Sequence, residues 1–280
     1  MFTISAFADE ISPDPQTQID VLKSCGVRHI EFRSILQTNV LALSDLQITE
    51  FKSLLDANGF KLSAIGSPLG KIRIDEPFEP HLQKLHRAIH LCKVFGTPNI
   101  RIFSYYPPEN FDGDWTKVRP QIMDRMTQKL EIAAKAGVRL VHENEHRIYG
   151  EAIDHVVDLL TTLRKWFDQK AFGAVYDAAN YVYGGHDPWD GWVRTRDYTV
   201  HLHIKDWKHG APHGSIPGEG EGQIPRSIAD AVQRGYTGFA TMEPHLLGGG
   251  PTGGVTGPEL FPKAVAAFKK ILDGAGAKHQ

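Results

Sequence analysis

Hydrophobic positions along the chain fall into two alternating patterns. Short apolar runs rich in Val, Ile, Phe and Leu recur at 3–7, 29–32, 62–66, 100–104, 140–143, 174–177, 199–205 and 239–243, each with the length and residue content of a strand. Between them, apolar residues return every three or four positions over 15–25, 44–57, 79–95, 117–136, 151–166, 225–233 and 262–273. That spacing predicts helices burying one face. Several of these stretches stop at glycine just before the next strand, as in SCGVRHIEF, ANGFKLSAI, VFGTPNIRIF and KAGVRLVHE, where a residue without Cβ readily takes the left-handed C-cap. The interval 183–197, YGGHDPWDGWVRTRD, carries Pro188 and several glycines and leaves room for only a short helix.

Eight strands alternating with helices predict an α/β chain closed into a (β/α)8 TIM barrel, one domain over residues 1–280. An open doubly wound sheet is the rival, but no G-x-G-x-x-G follows the first strand. Barrels of this type occupy about 250 residues, which suits a chain of 280 with 41% hydrophobic residues. Two domains also fit the length, yet no low-complexity linker divides the sequence.

Charge narrows the partners. A formal net charge of -2 offers no strong field for gathering nucleic acid or anionic lipid, so neither is expected. The two cysteines, Cys25 and Cys92, are far apart in helical stretches and suggest neither a disulfide framework nor a thiolate metal site. The start MFTISAFADE has no basic, long apolar leader, and no apolar run is long enough to span a bilayer. A cytoplasmic protein is the expectation.

Candidate chemistry sits at the strand ends. The run VRLVHENEH (138–146) closes on an unusual density of ligands and proton carriers. Barrel active sites are built at the C-terminal ends of the strands, and there strands five to eight place Glu143, Asp177, His203 and Glu243. Any one of them alone is more often a loop residue, a helix cap or a satisfied core histidine. Four in succession, each about one βα unit from the next, form a hard, oxygen-rich set suited to one divalent ion: Mn²⁺, Mg²⁺ or Co²⁺, with Zn²⁺ also admissible. Without a cation, three inward carboxylates would repel one another strongly.

The order Glu, Asp, His, Glu, together with HLHIKD, the GEGEG loop at 218–222, the closing GYTGFATMEPH and the opening AFADEIS, resembles the xylose-isomerase-like TIM-barrel superfamily over essentially the full chain. That superfamily includes ketose 3-epimerases, hydroxypyruvate isomerase and inosose isomerases and dehydratases. The resemblance implies that Glu143, Asp177, His203 and Glu243 hold one ion, with Glu143 and Glu243 flanking the substrate carbon as the proton-transfer pair. One departure is visible. Many members carry His three residues after the Asp ligand, whereas this chain has Asn180, which hydrogen-bonds a substrate oxygen but exchanges no proton near neutral pH.

Further candidates surround that set. His201, His203 and Lys205 share one strand face, and Lys205 either binds a substrate oxygen or forms a salt bridge. His146 either reaches over the site or is solvated. Glu219 or Glu221 of IPGEGEGQIP either touches substrate or rides a solvated turn, and LLGGGPTGG (246–254) either binds phosphate or is merely flexible. Trp115, Trp189 and Trp192 are candidate walls against sugar carbons, although packing is the commoner role of tryptophan. Arg33 and Lys71 lie past strands two and three, solvated by default but within reach of substrate oxygens. The expected activity is isomerisation or epimerisation of a small ketose or related polyhydroxy carbonyl compound through a cis-enediolate. The alternatives are an inosose-type dehydratase, a non-catalytic sugar-binding barrel and, less compatible with the charge, an endonuclease IV-type enzyme. The expected partner is a small sugar or cyclitol, and a homo-oligomer is compatible with the sequence.

Overall fold

A computed structural model describes residues 1–250 and 253–280. Eight parallel strands close a barrel: β1 (Thr3–Ala6), β2 (His29–Phe32), β3 (Lys61–Leu69), β4 (Asn99–Ile102), β5 (Arg139–Glu143), β6 (Phe172–Asp177), β7 (Thr199–Ile204) and β8 (Phe239–Met242). Each strand pairs with its sequence neighbours, and β1 closes the ring on β8 through the register Thr3 to Phe239 and Ala6 to Met242. The strands occupy all eight expected runs. β3 extends three residues beyond its run, and its ladder with β4 shifts between Ile65 and Leu69. Pro68 has no N–H to give there, and Ser67 Oγ instead donates to the carbonyl of Arg101 at 2.5 Å.

The helices form the outer layer: α1 (Pro15–Ser24), α2 (Asp45–Ala57), α3 (Glu79–Phe95), α4 (Arg119–Lys135), α5 (Ile153–Leu163), α6 (Ala178–Tyr183), α7 (Pro188–Thr195), α8 (Ile224–Gln233) and α9 (Phe261–Gly274). Helix α2 shows why such segments dock. Ser44 and Gln47 form a reciprocal capping box, and Ile48, Phe51 and Leu55 turn one stripe inward, where the Phe51 ring meets Phe32 of β2 at 4.6 Å. Burying each of those side chains is worth about 1.5–3 kcal/mol. Gly26, Gly59, Gly96 and Gly137 take φ between 68° and 72°, as expected of left-handed helix ends. The interval 183–197 holds the two-turn α7, while α6 starts earlier, immediately after β6, because the Asp177 side chain accepts from Asn180 N at 3.0 Å and caps it.

The inside of the barrel is unusually polar. Ser5 and Ser63 hydroxyls meet at 2.7 Å, Asn99 donates to the carbonyl of Ser63, and Arg139 donates to Asn99. Above them lie Glu31, His201 and Thr241, all at most 1% exposed. The polar column rises to the C-terminal ends of the strands.

Candidate metal centre and active site

Four strands deliver four candidate ligands to one place. Glu143 ends β5, Asp177 ends β6, His203 is one residue from the end of β7, and Glu243 directly follows β8. One ligand atom from each lies within 4.8 Å of the others, and all four residues are at most 3% exposed. Three polar atoms of the set, Asp177 Oδ2, His203 Nδ1 and Glu243 Oε2, are buried without an aligned hydrogen bond. Lys205 Nζ lies 2.8 Å from Asp177 Oδ2 as an ionic contact, and His203 Nδ1 is 3.2 Å from Glu143 Oε1 and 3.1 Å from Glu243 Oε2. Buried polar atoms in proteins are nearly always hydrogen-bonded, so three that are not, converging on one point, fit a cation there. The donor set of carboxylates and one imidazole fits a divalent ion.

Charge supports the same fit. Six buried carboxylates, from Asp9, Glu10, Glu31, Glu143, Asp177 and Glu243, face Arg33, Arg101 and Lys205. His245 adds a positive charge: burial opposes its protonation, but Glu10 and Glu243 push it up to about 9. An excess of two negative charges is left. Where no cation offsets that excess, protons do. Burial raises Asp177, with Glu143 and Glu243 adding to the effect against Lys205. Burial disfavours a charged His203, yet Glu143 and Glu31 outweigh it and hold the imidazole well above its usual range. Glu243 is held well below the carboxylate range by Lys205, His203 and His245 in spite of burial.

A cavity of about 460 Å³ opens above the ligands, lined among others by Arg33, Arg101, Asn180, Lys205, Glu243 and His245. Of the expected substrate contacts, Asn180, Lys205 and His146 reach it. Asn180 Nδ2 donates to Glu143 Oε1 at 3.2 Å and to the carbonyl of Asn144 at 2.8 Å. Asn144 in turn exchanges two 2.9 Å hydrogen bonds with the Asp177 backbone, which locks the tips of β5 and β6 together. His146 contacts Glu151 and meets the Tyr183 ring at 5.0 Å on the rim. Strand alternation turns His142 away from the site, to a buried position where a Cβ on Gly150 would fall 2.4 Å from its Cε1.

Other placements differ from the sequence reading. Trp115 is absent from the cavity lining and packs on Phe111 and Tyr149 at 4.7 and 5.4 Å; the loop after β4 folds it against the start of α5. Trp192 is buried with its indole N–H on Asp230, and Trp189 lies under the Arg226 guanidinium. Glu219 is exposed and away from the cavity lining, because the GEGEG turn closes around Asp206 instead. Asp206 accepts the N–H groups of Gly218, Gly220 and Gly222 at 2.8–3.0 Å, and that of Trp207 at 3.0 Å. Arg33 is 5% exposed: its guanidinium donates to Asp9 at 2.8 Å and to Glu243 Oε1 at 3.0 Å. Lys71 pairs with Glu145 at the rim. Within 246–254, Pro251 and Thr252 lie outside the described residues, while Gly253 and Gly254 run so close to Arg33 and His245 that side chains there would collide with them.

The sequence pattern did not single out Glu31, Arg101, Glu10 or His245. Glu31 and Arg101 interrupt the apolar runs HIEF and NIRIF, and a charge inside a buried strand was the available signal. Arg101 joins two sides of the centre, with Nη1 3.1 Å from Glu143 Oε2 and Nε 3.9 Å from Glu31 Oε1.

The profile of the xylose isomerase-like TIM barrel family matches residues 19–271, and the chain belongs to that family. No curated protein matches the sequence. Among solved structures, the chain is similar to a xylose isomerase-like TIM barrel protein from Mycobacterium smegmatis in complex with magnesium (TM-score 0.75, 19% identity, covering 99% of this chain and 97% of that one). It also resembles a D-tagatose 3-epimerase-like protein (TM-score 0.77, 14% identity, covering 99% and 98%) and the IOLI protein with a zinc atom (TM-score 0.74, 15% identity, covering 98% of each). Similarity at that identity establishes the fold.

Proposed function

We propose that this protein is a divalent-metal-dependent isomerase or epimerase of a small ketose or related polyhydroxy carbonyl compound. The observation carrying the proposal is the convergence of Glu143, Asp177, His203 and Glu243 with three of their polar atoms buried and without an aligned hydrogen bond. Family membership supports it, as do the magnesium and zinc found in two structural neighbours. Glu143, Asp177, His203 and Glu243 would hold the ion, which would supply Lewis-acid polarisation of a substrate carbonyl.

The chain's own residues supply the rest. Glu243 opens onto the cavity and, held deprotonated by Lys205, His203 and His245, is set to take a proton from the carbon between carbonyl and hydroxyl. Glu143, on β5, faces the centre from another side with Asn180 beside its Oε1. Return of the proton by Glu243 to the neighbouring carbon isomerises the substrate, whereas inversion needs Glu143 to take a proton from solvent and deliver it from its own side while Glu243 gives the abstracted proton back to solvent. Lys205 and Arg33 lie beside Glu243 and stabilise oxygens as they gain charge. Asn180 orients a substrate oxygen without titrating.

The test is a panel of ketoses, inososes and hydroxypyruvate, followed by NMR in D₂O with Mn²⁺, Mg²⁺, Co²⁺ or chelator. Metal-dependent deuterium entry at carbon is the expected result. Binding of a sugar without exchange would favour a non-catalytic barrel. Loss of water to an unsaturated product would favour the dehydratase reading, for which protonated His245, 3.2 Å from Glu243, is the available acid.

A further inference from the structure

Below the ligand cluster lies a second group of buried ligand types, Glu31, His201 and His203. It has the composition of another ion site, but the atoms that converge there already meet one another. Glu31 Oε2 meets His201 Nε2 at 3.0 Å, His203 Nε2 at 3.2 Å and the Thr241 hydroxyl at 3.0 Å, while that hydroxyl also meets His201 Nε2 at 2.6 Å. One carboxylate oxygen surrounded by three such groups has no room left for a cation.

What the group does instead follows from the two ends of the His203 ring. Nε2 points down at Glu31, and Nδ1 points up between Glu143 and Glu243. Nδ1 can offer a lone pair to an ion only when the ring's proton sits on Nε2. In solution a neutral imidazole partitions between both tautomers and turns about its side-chain bonds. We propose that Glu31 is a positioning residue for the metal centre: by accepting Nε2–H it holds His203 in the tautomer and rotation that aim Nδ1 at the ion. The role rests on the proposed metal-dependent function. The geometry around it is rigid. Phe7 stands edge-on to the imidazole at 5.1 Å, Thr241 pairs in register with His203 across β7 and β8, and Glu31 Oε1 faces Arg101, the same guanidinium that holds Glu143. Glu31 is 0% exposed and crosses the barrel from β2, so it braces a ligand from a strand that itself provides none.

The test uses the full chain and the metal alone. Mn²⁺ affinity is measured for the wild type, Glu31→Gln, His203→Ala and the double variant, and ¹⁵N NMR of the histidine side chains reports the tautomer with and without Zn²⁺. Loss of such an outer partner costs about 10- to 100-fold in metal affinity, and that is the loss expected for Glu31→Gln. Because Glu31 acts through His203, adding Glu31→Gln to His203→Ala should produce little further loss. Zn²⁺-loaded wild type should carry the His203 proton on Nε2. Wild-type affinity in Glu31→Gln, an equal fold-loss in the His203→Ala background, or a proton on Nδ1 overturns the role. The NMR arm needs only the wild type, so a variant that fails to fold leaves the proposal open to refutation. A wild type that binds no ion sinks the proposed function along with this role; one that binds while Glu31→Gln matches it sinks this role alone.

Discussion

At the scale of single residues, the candidate centre combines two carboxylates held charged, Glu143 and Glu243, with a carboxyl and an imidazole that favour their protonated forms when no ion is present, Asp177 and His203. Glu143→Gln and Glu243→Gln each keep an oxygen ligand and the side chain's shape but remove the base. Turnover in metal-loaded variants should therefore fall by about 10²- to 10⁴-fold while metal is still bound, as steady-state kinetics and metal analysis would show. Full turnover in both would remove them as the proton carriers. Metal binding itself should release protons. His203 of the ion-free protein keeps its proton well above the usual range, and Asp177 is raised too, so an arriving ion displaces protons and its affinity should rise with pH through that interval. Calorimetry in two buffers of different ionisation enthalpy measures the release, and a heat independent of buffer would contradict it.

At the scale of elements, the loop after β7 depends on one buried carboxylate. Asp206 is 0% exposed and collects four backbone N–H groups, so Asp206→Ala leaves those donors without their acceptor and should destabilise the protein by about 1–3 kcal/mol or more. Gly220 can be nothing larger, since its Cβ would fall 2.2 Å from Asp206 Oδ1. Gly220→Ala should cost stability by the same route, read as a lower urea midpoint with unchanged slope. Glu219→Ala, on the exposed side of that turn, should change neither stability nor catalysis by comparison.

At the scale of the whole molecule, the layer between the barrel and its helices stores buried ionisable groups in their neutral forms. Burial, helped by Lys129, lowers His81 and His142 to about 3, and burial lowers Lys129 itself to about 7. Their folded values lie below those of the unfolded chain, so the unfolded state binds more protons. The stability tied to the histidines is fully present above about pH 6.5 and drains away as pH falls towards 3. That tied to Lys129 is fully present above about 10.5 and drains away towards 7. Urea unfolding across pH should show stability falling on acidification, and Lys129→Met should flatten the alkaline part of the curve. An unchanged curve in that variant would show that Lys129 titrates normally.

The sequence by itself determined the barrel and which four side chains gather at its mouth, because both obey local rules. Short apolar strand runs, helical stripes closed by Gly26, Gly59, Gly96 and Gly137, and acidic or imidazole residues at successive strand ends are all written in neighbouring residues. Tertiary structure alone decided what surrounds them. Whether Glu219 or Asp206 matters in the GEGEG loop depends on which way the turn folds, and Trp115 was displaced from the cavity by packing partners distant in sequence or across its loop. Glu31 meets His203, and Arg33 meets Glu243, across chain separations of 172 and 210 residues. A buried charge takes its meaning from its partner, and closing the barrel is what brings those partners together.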